Sequence, residues 1–457
     1  MTVTGEIVEL RGAPADAPAT GAAESRRRRF DPLAVTASAL MANTAVTSAL
    51  GMVFWAVASR TYTARQLGES AALISAMMLL SVVSQLNLAM GISRLLPQVD
   101  KDRGRWVAGA YSVTAAMALV VTGSFVLIAP HLSQGFAFLG REPHLAVALV
   151  VAVVLWNVFA LQDAVLTSAR WAVAVPIENG LFGMLKIGLM LWLAHSYDGH
   201  GIFVAWLLAM AVMLVPVNSL IFGRVLPARR SRLRARGPRP TALPLADRAR
   251  VVRYLALDYG ASLLYQGYTS MLPLLVVAVL GRDANAYFYI AFVIAGAVRA
   301  VAEAMSTSLV VEGAYDEPEL AALTRLSIRR YATFVLPGVA LLVLRADLLL
   351  RPFGAAYVER GTTLLRLLLI ATLPQALVSL YLGVQRVRAK VGRVLAAEAL
   401  VVALVTVGAL AGMKQFGLVG VGSAWLAAQT TVAAVVAPAL WRACRRTTAD
   451  RLRLAAR

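Results

Sequence analysis

Arg299 and Glu303 stand four residues apart inside a long apolar stretch. In a helix that spacing puts both side chains on one face. An ionisable group in mid-bilayer costs at least a few kcal/mol unless it meets a cavity or a partner. Two readings are open. The pair neutralises itself as a structural ion pair, or Arg299 reaches a cavity and binds a diphosphate or acidic sugar through its planar fork, with Glu303 holding its side chain. Lys186 is the second deep cation. Glu178 lies two turns away on the same stretch, too far for direct contact, so Lys186 needs a partner on another helix, water or a bound anion. Asp163, Asp258, Arg366 and Glu398 lie nearer the ends of their stretches, where side chains snorkel at little cost. Asp258, together with Arg94 at the end of the second stretch, completes the set of candidate substrate-binding residues: Arg299, Glu303, Lys186, Asp258 and Arg94.

Other chemistry is thinly represented. Cys444 is the only cysteine, so no disulfide can form within the chain and no thiolate metal site can be built. His131 and His144 border one connecting loop, and His195 and His200 another. The spacing of the second pair suggests a metal, but solvation at a loop end is the simpler reading. A Walker A loop, a His-Glu-x-x-His helix and a nucleophile elbow are all missing from the sequence, which argues against ATP hydrolysis and hydrolytic catalysis. Neither a cofactor nor a resident metal is expected.

These residues have to be held by membrane helices. Hydrophobic residues are 59% of the 457 and mean hydropathy is +0.71, above a soluble domain. A bilayer core about 30 Å thick takes roughly 20 apolar residues per helix. Twelve stretches meet that need: 33–58, 69–93, 107–129, 145–166, 176–194, 201–222, 254–279, 285–309, 331–350, 362–384, 391–412 and 418–441. The ninth is the weakest, because Arg345 and Asp347 interrupt it. The runs are continuous rather than alternating and too long for barrel strands, so the fold class is an all-α polytopic membrane protein.

The second half repeats the first. Leu67-Gly68-Glu69-Ser70-Ala71-Ala72-Leu73 is matched by Leu280-Gly281-Arg282-Asp283-Ala284-Asn285-Ala286, and Ala205-Trp206-Leu207-Leu208-Ala209 by Ala424-Trp425-Leu426-Ala427-Ala428. The step from Leu67 to Leu280 is nearly the same as the step from Ala205 to Ala424. Two nearly equal offsets imply a duplicated six-helix unit and two pseudo-symmetric lobes, an arrangement on which many secondary transporters alternate access. The organisation is then a disordered basic segment 1–30, a lobe 31–223, a basic linker 224–253, a second lobe 254–441 and a basic tail 442–457.

The net charge of +20 could suggest nucleic acid, but its placement does not. With the N-terminus cytoplasmic and Arg345 and Arg393, near the ends of their spans, counted with the adjoining loops, 33 Lys and Arg fall in inside segments, eight in outside loops and three within spans. That is the positive-inside pattern, and it expects both termini in the cytoplasm of a cell-membrane protein. An even number of spans is needed to keep the Arg-rich tail inside, so the ninth stretch crosses. The linker carries ten Arg and four Pro. It enforces topology and could draw anionic lipid. Arg26 to Arg29 read as an anchor for the first span, since the stretch that follows is too long for a signal segment.

Three further segments carry a resemblance. The first is Thr63-Ala64-Arg65-Gln66-Leu67-Gly68-Glu69 with Asn87-Leu88-Ala89-Met90-Gly91-Ile92-Ser93-Arg94-Leu95-Leu96-Pro97. The second is Leu350-Arg351-Pro352-Phe353-Gly354-Ala355-Ala356-Tyr357 followed by Leu364-Leu365-Arg366-Leu367-Leu368, and the third is Phe416-Gly417-Leu418-Val419-Gly420-Val421-Gly422-Ser423-Ala424. In order and placement these resemble the polysaccharide flippases of the multidrug/oligosaccharidyl-lipid/polysaccharide exporter superfamily. The resemblance implies two six-helix lobes, a cavity lined mainly by helices 1, 2, 7 and 8, alternating access, and a lipid-linked sugar as cargo. The end of helix 8, Leu309-Val310-Val311-Glu312-Gly313, departs from it in lacking a proline.

The leading expectation is a flippase that moves a polyprenyl-diphosphate-linked oligosaccharide from the inner to the outer leaflet for cell-surface polysaccharide synthesis. Its partners would be the bilayer, the lipid-linked glycan, and a glycan polymerase or glycosyltransferases; nucleic acid is not expected. A multidrug/cation antiporter of the same fold is the alternative, and would want a carboxylate-rich cavity. A membrane glycan polymerase or ligase would need a long external loop, and the outside loops are short. A non-transporting scaffold for a glycan-assembly complex also stays open.

Overall fold

The computed structural model describes residues 32–445 except 97–98, 100–101, 133–136, 170, 197–199, 228–244 and 316–319. The segment 1–30, much of the basic linker and the tail past Arg445 lie outside the described residues. Strand is absent among the described residues, and nearly all of them are helical.

Among the described residues, twelve helical spans follow one another. They are α1 (Pro32–Thr61), α2 (Ala64–Ser84, continued by Leu88–Leu95), α3 (Arg103–Leu132), α4 (Pro143–Ser168), α5 (Ala174–Ser196) and α6 (Gly201–Leu220). The second set is α7 (Leu245–Leu280), α8 (Arg282–Tyr315), α9 (Leu320–Arg330 through Leu336–Leu344), α10 (Ala355–Val387), α11 (391–416) and α12 (418–445). Among the described residues, eleven helices are long and apolar enough to cross a membrane, the last of them 54 residues. That last one is two spans. At Gly417 the backbone turns through φ +57, a conformation open to glycine at little steric cost. The chain then folds back so tightly that a Cβ on Gly412 or Gly420 would strike the other's backbone.

Helix starts are set by local chemistry. Thr63 caps α2: its hydroxyl accepts from the Gln66 amide while the Gln66 side chain accepts from the Thr63 amide, a capping box worth about 1 kcal/mol. Pro143 stands in the first turn of α4, where a missing N–H costs nothing. Gly281, at φ +90, lets α7 turn directly into α8. Two features depart from regular helix. In α2 Leu86 and Asn87 take φ 49 and 57, which breaks the helix before Leu88. In α9 a π-turn at Tyr331–Val335 sits between Arg330 and Leu336. The ninth span begins earlier than its apolar run suggests, at Leu320, so its crossing includes the polar segment up to Arg330.

Packing divides the helices into two groups. In the first, α1 lies on α5, α3 on α4, and α6 on both α4 and α5. In the second, α10 joins α8 to the α11–α12 hairpin, and α7 packs on that hairpin. The groups meet where α2 lies against α7 and α8. Large apolar side chains such as Val120, Leu127, Phe334, Leu344 and Val407 point outward. In water such a rim would favour aggregation; in a bilayer it is the stable arrangement.

Candidate cargo cavity between the lobes

A cavity of about 410 Å³ lies between the two helix groups. Ser75, Met78 and Val82 of α2 and Trp156 of α4 form one wall. Tyr265, Gln266 and Thr269 of α7 and Tyr289, Phe292, Gly296, Arg299 and Glu303 of α8 form the other. Helices 2, 7 and 8 thus supply most of the lining, and α1 adds its support through Trp55, whose ring lies 4.8 Å from that of Tyr289. A second, shallower groove along α12, from Ser423 to Val435, has no charged group and faces outward.

Arg299 and Glu303 both reach the cavity, but they are not paired with each other. The Arg299 guanidinium lies over the rings of Phe292 (4.6 Å) and Trp425 (5.4 Å). Glu303 instead accepts a hydrogen bond from the hydroxyl of Tyr265. The expected role of Glu303 as the clamp of Arg299 is therefore corrected: aromatic faces hold the guanidinium, and the tyrosine takes the carboxylate. The shared helical face brings the two residues to the same cavity, while the rings of α8 and α12 compete for the cation. Glu398 of α11, which the sequence leaves between snorkelling and a buried role, is a further neighbour. It does not snorkel but is buried, close enough to act electrostatically on Tyr265 and Glu303.

Lys186 lies apart from the cavity. Its ammonium sits 4.2 Å from the Trp206 ring centre, 4.7 Å from Phe54 and 5.1 Å from Phe182. It is buried, and no carboxylate among the described residues pairs with it. A desolvated cation over a ring gains about 2 kcal/mol, while burying a lone ammonium costs several. The rings offset only part of that cost.

The remaining candidates separate. Asp258 accepts from Nε of Arg386 at 3.0 Å, a link between α7 and α10 within one lobe and outside the cavity lining. Arg366 is exposed and donates to the Val343 carbonyl. Asp163 accepts from Asn179 at 3.3 Å, and Glu178 is buried near Asp163 and Tyr111. The side chain of Arg94 lies outside the described residues. His195 bonds the Leu191 carbonyl and His200 meets Glu142 at 3.3 Å, so the two histidines go to different partners.

At the end of the cavity formed by the starts of α2 and α8, the lobes are sealed by polar contacts. Glu69 is ion-paired with Arg282. Asn285 donates to the Gly68 carbonyl at 2.8 Å, and a Cβ on Gly68 would collide with the Arg282 carbonyl. Arg60 of α1 donates to the Arg351 and Pro352 carbonyls at 2.7 and 2.8 Å. His200 stands 3.8 Å from Glu69. Glu69 and Arg282 are the same position of the two repeats, each directly after the Leu-Gly pair, so duplication placed opposite charges where the lobes meet. The Leu-Gly-Glu and Leu-Gly-Arg match held this signal. Toward the other end Tyr259 donates to the Val82 carbonyl across the interface.

No known family model matches the chain, and no curated protein matches it in sequence. Solved structures share its fold. One is an inward-facing multidrug resistance MATE family transporter of the MOP superfamily, 16% identical over 85% of this chain and 92% of its own, with TM-score 0.59. Another is the MATE multidrug transporter DinF-BH, solved in a ligand complex, 15% identical over 90% and 95%, TM-score 0.60. A third is a MOP superfamily transporter from Pyrococcus furiosus, described as having a binding pocket of reversed polarity that suggests a different function; it is 15% identical over 92% and 98%, TM-score 0.55. The twelve-span, two-lobe fold is that of these proteins.

Proposed function

From that fold and the cavity between its lobes, we propose that the chain is a transporter that works by alternating access without hydrolysing ATP, and that its cargo is an amphipathic anion: a polyprenyl-diphosphate-linked oligosaccharide moved from the inner to the outer leaflet. The observation that carries this reading is Arg299. Its guanidinium lines the cavity on a bed of aromatic rings, and no carboxylate among the described residues forms an ion pair with it. A phosphate can meet such a fork with two parallel charged hydrogen bonds. Both termini face the cytoplasm of the cell membrane in this account, because the basic segments then lie inside.

The polyprenol tail stays in lipid. In this reading the tail leaves the cavity between α1 and α8, beside Gly51 and Gly296, where the helices lack side-chain bulk; a Cβ on Gly51 would meet nothing, and Gly296 lines the cavity. The charged head then crosses in the cavity rather than in hydrocarbon. An inside-negative potential favours outward movement of a dianion by about 2.3 kcal/mol per charge per 100 mV.

One observation favours a second reading. Glu303 and Glu398 gather near aromatic walls, which also suits an organic cation, and two of the structures with this fold are multidrug transporters. Proteoliposomes separate the two. The flippase reading expects transfer of a fluorescent lipid-linked sugar between leaflets without ATP; transfer of ethidium-like cations alone would establish the antiporter.

A further inference from the structure

We propose that the aromatic box around Lys186 is a second anion-binding site, one that takes a phosphate of the cargo after it leaves Arg299. The inference rests on the lipid-diphosphate reading above.

The box has donors and no acceptor. The Lys186 ammonium is enclosed by Phe54, Phe182 and Trp206, and no carboxylate among the described residues pairs with it. The indole N–H of Trp206, in the same box, is buried with no hydrogen-bond partner. Buried donors of this kind are normally satisfied, and rings do not satisfy an N–H donor as an oxygen does. A phosphate would answer both groups with different oxygens: one meets the ammonium, a compact charge over the ring face, and another accepts from the indole N–H at the ring edge.

The arrangement is also repeated. Trp206 and Trp425 occupy the same place in the two halves, each inside the repeated Ala-Trp-Leu segment. Each carries a cation, Lys186 on one and Arg299 on the other. Each is flanked by an aromatic residue from the first helix of its lobe, Phe54 at 6.2 Å and Tyr268 at 5.3 Å, and these two stand nearly one repeat length apart in the chain. The cations come from different helices, α5 and α8, yet both arrive at the repeated tryptophan.

Only one of the two sites is open to the cavity. Arg299 lines it, and Lys186 lies behind Trp156, a side chain that both lines the cavity and packs on Trp206 at 5.7 Å. Displacing the Trp156 ring joins the box to the cavity. A head group with two phosphates can then be held by one lobe while the other is reached. In the closed box the cation is shielded, so the resting protein binds the head through Arg299 alone.

The test uses full-length protein and a fluorescent farnesyl diphosphate as probe, with binding measured in detergent and leaflet transfer in proteoliposomes. Lys186→Met keeps the length of the side chain and removes the charge. It should bind the probe within about twofold of wild type and transfer it at least tenfold more slowly. Arg299→Ala should lose binding as well. Trp206→Phe, which removes the N–H and keeps a ring, should slow transfer severalfold without weakening binding. If Lys186→Met does not fold, Lys186→Gln replaces it, with the same expectations. Wild-type transfer by a folded Lys186 variant would overturn the proposal while leaving the transport reading intact. So would loss of probe binding equal to that of Arg299→Ala, since the lysine would then belong to the resting site. If wild-type protein does not move the probe, the lipid-diphosphate reading falls, and this site with it.

Discussion

A guanidinium resting on Phe292 and Trp425 keeps its N–H donors free of any carboxylate among the described residues. Arg299→Ala should therefore cost the whole charged interaction with cargo. A hydrogen bond to a charged group contributes about 1.5–3 kcal/mol, so transport should fall roughly 10- to 100-fold, with protein level unchanged in membranes. Arg299→Lys should fall between the two, since an ammonium keeps the charge and loses the fork. Equal activity of Arg299→Ala and wild type in a transfer assay would remove Arg299 from the site. His200 gives a pH prediction. Burial holds its imidazole below the ordinary value, opposed by Glu142, so the folded protein favours the neutral ring. A base with a depressed folded value contributes stability above its unfolded value, about 6.5, and that stability is lost as pH falls through the folded value. Thermal melting should drop more between pH 7 and 5 for wild type than for His200→Gln. Much of this was legible from residue types alone. The cost of charge in a membrane singled out Arg299, Glu303 and Lys186. Their partners were not legible, because an aromatic ring in an apolar stretch looks the same whether it faces lipid or a cation. Glu398 could not be decided from the sequence, because nearness to the end of an apolar run does not tell which way a side chain points.

At the scale of the helix, the seal between α2 and α8 is what must break for the cavity to open at that end. Glu69 is nearly buried and Arg282 partly so, which makes the pair stronger than a surface ion pair and costly to leave half-made. Arg282→Glu sets two carboxylates together and should part the helices. Glu69→Arg combined with Arg282→Glu should close them again. Spin labels at Thr61 and Asp283, both exposed, in a Cys444→Ser background, would report the distance. The single variant should lengthen it and the double should restore it; an unchanged distance in the single variant would mean the pair does not hold the seal. The spans themselves were readable from length and apolar content. The break in α2 was not, since neither Leu86 nor Asn87 is a glycine or proline, and only asparagine among them tolerates the left-handed region with ease. The turn at Gly417 was readable in position, because a glycine separates two apolar runs.

The whole molecule is two lobes around one cavity, and the repeat was visible before any coordinate. The Leu-Gly match marks the α2/α8 contact where the lobes meet, and the Ala-Trp match marks the tryptophan inside each lobe that carries a cation. The proposed orientation puts the basic segments on the cytoplasmic side. A cysteine at Arg232 should be labelled only after membranes are opened, and labelling from outside intact cells would reverse the orientation. The central claim is carriage of a lipid-linked anion, and it is tested most directly in liposomes of purified protein. A fluorescent polyprenyl-diphosphate sugar placed in one leaflet should reach the other without ATP in the presence of wild-type protein, and at least tenfold more slowly with Arg299→Ala. Movement of organic cations with no movement of the lipid-linked sugar would contradict the account.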